Sequence, residues 1–353
     1  MTVCYFGIYN QNHTRNRLMI KGLRQNGVEV IEVNTREKSA HKYERLARGY
    51  WAVRKKCDVI VVGFPGHTVM PLAWLLAKLT GKRIVFDAFI SLYDSFVFDE
   101  KKYTPGSFSA RKYWFIDWLA GRMADTVLLE VGAYADYFSK TFGIPRKKFK
   151  VIWVACDDEV IYPREQKKET ADFLVHFHGT YIPAQGIPTI IEAAKILEPE
   201  GVRFNIIGRL STYGEALELV KKIEAQNINF VDFVPYATLA DYMAQADVCL
   251  GMFGATGKAA RAGAFKIMEA LAMRKPLITG DTPAVREFLI DGENALLCRV
   301  DDPRDLADKI LVLKRDQELR KRIAERGYQL FRSKMTPKAL GGQFAALLAE
   351  LRS

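Results

Sequence analysis

The 353-residue sequence has no apolar run of the roughly 18 to 20 residues that a membrane-spanning helix needs. Its opening, MTVCYFGIYN, reads as a strand and not as a charged segment leading into a secretory signal. A cytoplasmic chain is expected, with peripheral attachment to the inner face of a membrane as a variant of that expectation. The five cysteines, Cys4, Cys57, Cys156, Cys249 and Cys298, are odd in number and scattered, with no C-x-x-C spacing. They read as reduced core thiols and exclude a disulfide framework. The first strand leads into YNQNHTRN with no G-x-G-x-x-G, and no G-x-x-x-x-G-K-[ST] occurs, so neither dinucleotide nor P-loop signature is present. There is no H-E-x-x-H, and no D-x-D pair stands at a strand end. Neither a metal site nor a cofactor is expected.

What is present is a globular composition, 49% hydrophobic and 26% charged, in a chain long enough for two α/β domains. The net charge of +11 is unevenly placed. Residues 1–150 hold 25 Lys and Arg against 13 Asp and Glu, while the remainder holds 27 against 28. The basic half suits an acidic partner such as an anionic membrane surface or a phosphorylated acceptor, unless the charge serves solubility alone. Nucleic acid is not expected, because the basic residues are dispersed and no recognition module is present.

Strand-like runs at VCYFGIY, VEVIEVN, DVIVVGF, KRIVFDAF and DTVLLE alternate with helical periods near 14–26, 40–56, 69–80, 109–123 and 132–142. Strands joined by helix-length crossovers imply a parallel, doubly wound sheet. The stretch GIPRKKFKVIWVACDDEVIYPREQKKET breaks this rhythm and reads as an interdomain linker. The rhythm restarts with ADFLVHFHG, a helix at 187–197, VRFNIIG, a helix near 214–225, INFVDFV, ADVCLGMF, a helix at 265–273 and KPLITG, closed by helices near 303–313 and 316–331. The expected domains are 1–150 and 151–336. A last helix over 337–353 could cap the second or cross back to the first. Ligands of open α/β sheets bind beyond the carboxyl ends of the strands, so two such sheets facing a cleft would place the chemistry in the strand-end loops.

Two of those loops carry signals. FHGTYIPAQG follows a strand and opens a helix, and Gly179 and Gly186 permit close backbone approach to a diphosphate. His178 by itself is the ordinary strand-end histidine. GATGKAARAGAFKIMEALAMRKPLITGD joins a strand to a helix through a loop nearly devoid of side chains, and that helix bears Lys266 and Glu269 one turn apart. Such a pair is either a solvated ion pair or a carboxylate for vicinal hydroxyls beside an ammonium for phosphate. In the first half, Asp87, Asp94 and Asp99 follow a strand, where an aspartate is more often a loop cap than a base, and Asn10, His13 and Arg15 stand in the first strand-to-helix loop as candidate acceptor or phosphate contacts.

Taken together, IIGR at 206–209, FVPY at 233–236 followed by LADYMAQADVCLGMF, KIMEALAMRKPLIT at 266–279, the TPAVRE turn and DGENALLCRVDDPRDLADKI resemble family four of the glycosyltransferases, the large retaining GT-B family. The resemblance spans nearly the whole chain. It implies that Glu269 holds the donor ribose hydroxyls, that Lys266 is the lysine of the K-x-x-E variant, and that Ala262 to Phe265, including Gly263 and Ala264, offers backbone amides to donor sugar and phosphate. It also places Gly208 and Arg209 near the nucleotide and Val234, Pro235 and Tyr236 by the base. The implied activity is metal-free transfer of a sugar from a nucleoside-diphosphate sugar to a hydroxyl acceptor, with polyprenyl-phosphate-linked acceptors as one candidate. Two departures stand out. Arg261 occupies the position of a second family glutamate, and Thr180 and Gln185 stand where the family often has Arg and Lys. Phosphate charge must then be offset by Lys266, Arg261, Lys258 or Arg209. Asp87 or Asp94 is the base if the reaction inverts. A sugar-nucleotide epimerase and a non-catalytic sugar-nucleotide-binding module are the competing readings.

Overall fold

The computed structural model describes residues 1–166 and 171–352. The chain divides into two compact units, Met1–Ala155 with Pro337–Ser353, and Cys156–Thr336. In the first unit the elements alternate as β1 (Thr2–Gly7), α1 (Thr14–Gln25), β2 (Glu29–Asn34), α2 (His41–Val53), β3 (Val59–Val62), α3 (Met70–Thr80), β4 (Arg83–Phe89), α4 (Phe108–Met123), β5 (Thr126–Leu129), α5 (Gly132–Phe142) and β6 (Phe149–Val151). All six strands are parallel, in the order β2-β1-β3-β4-β5-β6. The inner strands are continuous apolar runs because helices cover both faces: every residue of VIVV and TVLL is buried.

Local chemistry sets the helix ends. Ser107 caps α4 by accepting from the Ala110 N–H at 3.2 Å, and Gly81 closes α3 in the left-handed region at φ 67°. The terminal helix α12 (Pro337–Arg352) packs on α1 in this unit. Its Leu340, Phe344 and Leu348 are buried with Leu18, Met19 and Leu23, each full burial contributing about 1.5–3 kcal/mol.

The second unit contains β7 (Phe173–His178), α6 (Ile187–Leu197), β8 (Val202–Ile207), α7 (Gly214–Ile223), β9 (Ile228–Val231), α8 (Tyr236–Gln245), β10 (Val248–Leu250), α9 (Phe265–Ala272), β11 (Leu277–Gly280), β12 (Leu296–Cys298), α10 (Pro303–Arg315) and α11 (Gln317–Lys334). Its parallel sheet runs β12-β11-β10-β7-β8-β9. Asp302 and Asp316 cap α10 and α11 through the N–H groups of Asp305 and Leu319. Phe173, Val175 and Phe177 point from β7 into the core against α6 and α10.

Three elements depart from the sequence expectation. The segment read as a linker contains β6, whose Phe149 is buried and which pairs with β5 from Val127↔Phe149 to Leu129↔Val151. Residues 167–170 of that expected linker lie outside the described residues. The helix α8 and the strand β12 were not expected at all. All five cysteines are free and buried.

Candidate functional site

In the second sheet the order reverses between β7 and β10, from which the chain winds outward in opposite directions. Such a reversal opens a crevice beyond the strand ends, the usual ligand position in open α/β sheets. The loop leaving β7 and the helix that follows β10, α9, are both attached there. The Lys266 Nζ donates to Gln185 Oε1 and lies 3.8 Å from the centroid of the Phe177 ring. It also sits where a Cβ at position 179 would be, 2.6 Å away, so Gly179 leaves the space that the ammonium fills. Burial, opposed in part by Glu269, holds the Lys266 ammonium well below the ordinary lysine value.

Glu269 turns to different partners. Its Oε2 accepts from His178 Nε2 at 2.8 Å, and His178 Nδ1 meets His176 Nε2 at 3.0 Å. The Tyr236 hydroxyl faces the same carboxylate without meeting hydrogen-bond geometry. Burial pushes the Glu269 carboxyl up, but the His178 bond and the neighbouring Tyr236 and Lys266 outweigh it and leave the group below its usual value. Lys266 and Glu269 are 6% and 5% exposed, which removes the solvated ion pair as an explanation of their spacing.

The other residues expected on the donor side stand in different environments. Gly208 is held by close approach: a Cβ there would lie 2.2 Å from the Gly179 carbonyl oxygen and 2.6 Å from the Tyr213 hydroxyl, which itself donates to Gly179 O at 2.6 Å. Gly263 is buried, Ala264 opens α9 without a side-chain cap, and Phe265 is its first residue, so the loop presents backbone at a positive helix end. The Arg261 guanidinium lies over Gly257, where a Cβ would be 3.0 Å from Nη1. Thr180, Arg209 and Pro235 are exposed; Pro235 starts α8, and Arg209 starts a 3-10 turn in which its carbonyl accepts from Thr212. Of the expected cations, Lys266 is bonded into the loop whose own residues at 180 and 185 are neutral.

In the first unit Arg15 and Asp87, expected as an acceptor-side contact and a candidate base, lie against each other. The two are joined: Arg15 Nε lies 3.0 Å from Asp87 Oδ2 and Nη2 lies 3.0 Å from Oδ1, while Nη1 donates to the carbonyls of Ile152 and Trp153 at 2.8 and 2.9 Å. Both side chains are buried, so this ion pair ties α1, β4 and the segment after β6 together. Arg15 has four of its five N–H groups committed in this way. Asn10 is exposed and accepts from the Asn12 N–H, an Asx turn. His13 starts α1 with its ring 5.3 Å from Phe64 and 6.2 Å from Phe89; burial, aided by Arg15, lowers its basicity against the opposing pull of Asp87.

Asp94 begins a π-helical segment, Asp94–Asp99, and is fully buried. It belongs to a polar nest that sequence reasoning missed. Ser91 Oγ accepts from the Asp94 N–H at 2.9 Å and donates to Asp117 Oδ2 at 2.6 Å, and His67 Nε2 is 3.6 Å from Asp117 Oδ1. Burial raises the Asp117 carboxyl to about 7 and lowers His67 to about 4. His176 was also missed, although the H-x-H spacing of His176 and His178 in a strand was a usable signal: residues i and i+2 share one face.

The fold, two doubly wound parallel sheets with a polar cluster at the second sheet's order reversal, is that of the GT-B class. Residues 159–330 match the family described as "Glycosyl transferases group 1". An uncharacterized glycosyltransferase of Methanocaldococcus jannaschii is 28% identical over 151 residues, 43% of this chain and 41% of that protein. The chitobiosyldiphosphodolichol beta-mannosyltransferase of Eremothecium gossypii is 22% identical over 79% of this chain and 64% of its own length. The chain thus spans under two thirds of the length of these curated relatives. The crystal structure of Anabaena HepE in complex with UDP-glucose superposes with a TM-score of 0.73 at 14% identity, covering 99% of this chain and 100% of that one, a likeness of fold.

Proposed function

We propose that this chain transfers a sugar from a nucleoside-diphosphate sugar to a hydroxyl acceptor, with retention at the anomeric carbon and without a metal. The observation that carries this reading is the buried Lys266 and Glu269 on α9, each held by a partner from β7 or its loop at the order reversal of a group 1 glycosyl transferase domain. HepE, a structural neighbour, binds UDP-glucose. In the proposed site the free oxygen of Glu269 accepts the ribose hydroxyls, and Gly179, Gly208 and the start of α9 let backbone approach the diphosphate. In the reaction the bond between the anomeric carbon and the diphosphate oxygen breaks and a bond from the acceptor oxygen forms. The acceptor proton passes to the departing phosphate oxygen, so no protein base is required. The leaving group gains negative charge as the bond breaks, and a buried cation that is short of counter-charge stabilises that state more than the ground state. Lys266 meets that description, with Arg261 and Arg209 as further cations of the same unit.

For the acceptor we propose a polyprenyl-phosphate-linked substrate met at an anionic, inner-face membrane surface. The relative named for a diphosphodolichol substrate supports this. So does the surface of consecutive helices in the first unit: Trp51 on α2, Trp74, Leu75 and Leu79 on α3, and Phe108 and Phe115 on α4 are exposed, Leu79 by 65% and Phe108 by 86%. They are interleaved with Arg45, Arg48, Arg54, Lys78, Arg111 and Lys112. No helix among the described residues is long and apolar enough to cross a membrane.

The activity is tested by release of nucleoside diphosphate from a panel of donors with and without acceptor, each also in EDTA. Acceptor-dependent release that persists in EDTA supports the reading. Release without transfer would reduce the chain to a hydrolase, and donor binding with no turnover would make it a binding module. The membrane surface is tested by flotation: recovery with anionic vesicles and not with neutral ones is expected, whereas equal recovery argues against an electrostatic contact.

A further inference from the structure

His176, His178 and Glu269 form an unbroken line of polar contacts from the centre of the second sheet to the donor cluster. His176 and His178 share one face of β7 and their rings lie 5.2 Å apart. His176 is 1% exposed, and its Nδ1 is buried without a hydrogen-bond partner. The direction of the proton donors along this line follows from which atoms can accept. Glu269 as a carboxylate only accepts, so His178 Nε2 carries a hydrogen. His178 Nδ1 then accepts from His176 Nε2–H, and the unpartnered Nδ1 of His176 is a bare ring nitrogen. The opposite arrangement would place an N–H at that buried, partnerless Nδ1 and cost about 1–3 kcal/mol. Every donor therefore points toward Glu269. The carboxylate is gripped at Oε2.

We propose that His178 is a positioning residue for the donor site: through its Nε2 hydrogen it fixes the Glu269 carboxylate in the orientation that receives two vicinal hydroxyls, and His176 behind it fixes the tautomer. This rests on the reading of Glu269 as the ribose-binding carboxylate. The physical reason is preorganisation. A glutamate on its own has three side-chain torsions to order when a ligand binds, and a carboxylate already anchored at one oxygen loses less. The hydrogen bond to Oε2 comes from His178, while the Tyr236 hydroxyl faces the same carboxylate and the Lys266 bond runs to Gln185.

The test uses the full chain, UDP as the probe, and calorimetry, with the melting temperature read on the same samples. The amide nitrogen of glutamine falls near the place of a histidine Nε2, and that of asparagine near Nδ1. His178→Gln therefore keeps the donor to Glu269, and His178→Asn removes it. We expect His178→Asn to weaken UDP about tenfold, equivalent to about 1.4 kcal/mol. His178→Gln should stay within about threefold of the natural chain. On a Glu269→Gln background, His178→Asn should cost nothing further, because its object has gone. Natural affinity in His178→Asn, equal losses in the Asn and Gln variants, or fully additive losses with Glu269→Gln would each overturn the positioning role while leaving the donor site standing. UDP binding unchanged by Glu269→Gln alone would overturn the donor-site reading and this inference with it.

Discussion

Gly22 on α1 and Gly341 on α12 meet backbone to backbone: a Cβ at Gly341 would come 2.1 Å from the Gly22 carbonyl carbon, and one at Gly22 would come 2.2 Å from the Pro337 carbonyl oxygen. This contact seats the last helix on the first unit. Alanine for glycine inside a helix gains about 1 kcal/mol of propensity. Here the new methyl strikes main chain, which cannot rotate away, and overpacking costs typically 1–3 kcal/mol or more. Gly341→Ala is expected to lower stability by a net of up to about 2 kcal/mol, the difference of those terms, as read by urea unfolding. A higher midpoint would show that the helices separate freely.

Lys266 and Glu269 share one helix but should fail differently. Glu269→Gln removes charge from hydrogen bonds worth about 1.5–3 kcal/mol and should weaken donor binding roughly ten- to a hundredfold. Lys266→Met should lower turnover more than affinity, because the charge it offsets grows as the bond to the diphosphate breaks. Natural values of affinity and turnover in both variants would remove the site assignment.

Asp87→Asn separates a structural role from a catalytic one. Breaking a buried ion pair by removing one partner costs about 3–5 kcal/mol, because Arg15 is left buried without its counter-charge. The variant should melt well below the natural chain, and any fraction still folded should keep most of its turnover. A folded, natural-stability variant that is inactive would restore Asp87 as a base.

His67 and Asp117 should oppose each other as pH changes. The Asp117 carboxyl is raised to about 7, so the folded state holds a proton that the unfolded chain has released; stability from this group is present at low pH and lost as pH rises toward 7. His67 is lowered to about 4, so the unfolded chain binds the proton first; stability from this group is lost as pH falls from about 6.5 toward 4. Between about pH 4 and 6.5 the two slopes offset. Asp117→Asn should leave the His67 slope exposed, so that its melting temperature climbs with pH across this window more steeply than that of the natural chain. Parallel curves for the two proteins would mean that Asp117 does not titrate as its burial implies.

The elements themselves were legible in the sequence wherever a period could be counted. Helix α6 was read as 187–197 and occupies those residues, and the apolar runs of β1 to β5 and β7 to β11 all became strands. The three-residue strands β6 and β12 were not, because three residues display no period; their place comes from pairing with β5 and β11. For the candidate site, the sequence alone brought out Lys266, Glu269, Gly179 and the bare loop before α9, since a Gly-rich strand-to-helix turn is a local pattern. It could not say that the ammonium leans on Gln185, 81 residues away, that His178 grips Glu269 across 91, or that Arg15 and Asp87, 72 apart, neutralise each other. Those partners follow from strand order, which the crossovers fix and no local period records. Burial decided the rest: the i, i+3 spacing of Lys266 and Glu269 is the same on a solvated helix face as in a packed one, and only the surrounding sheet removes the water.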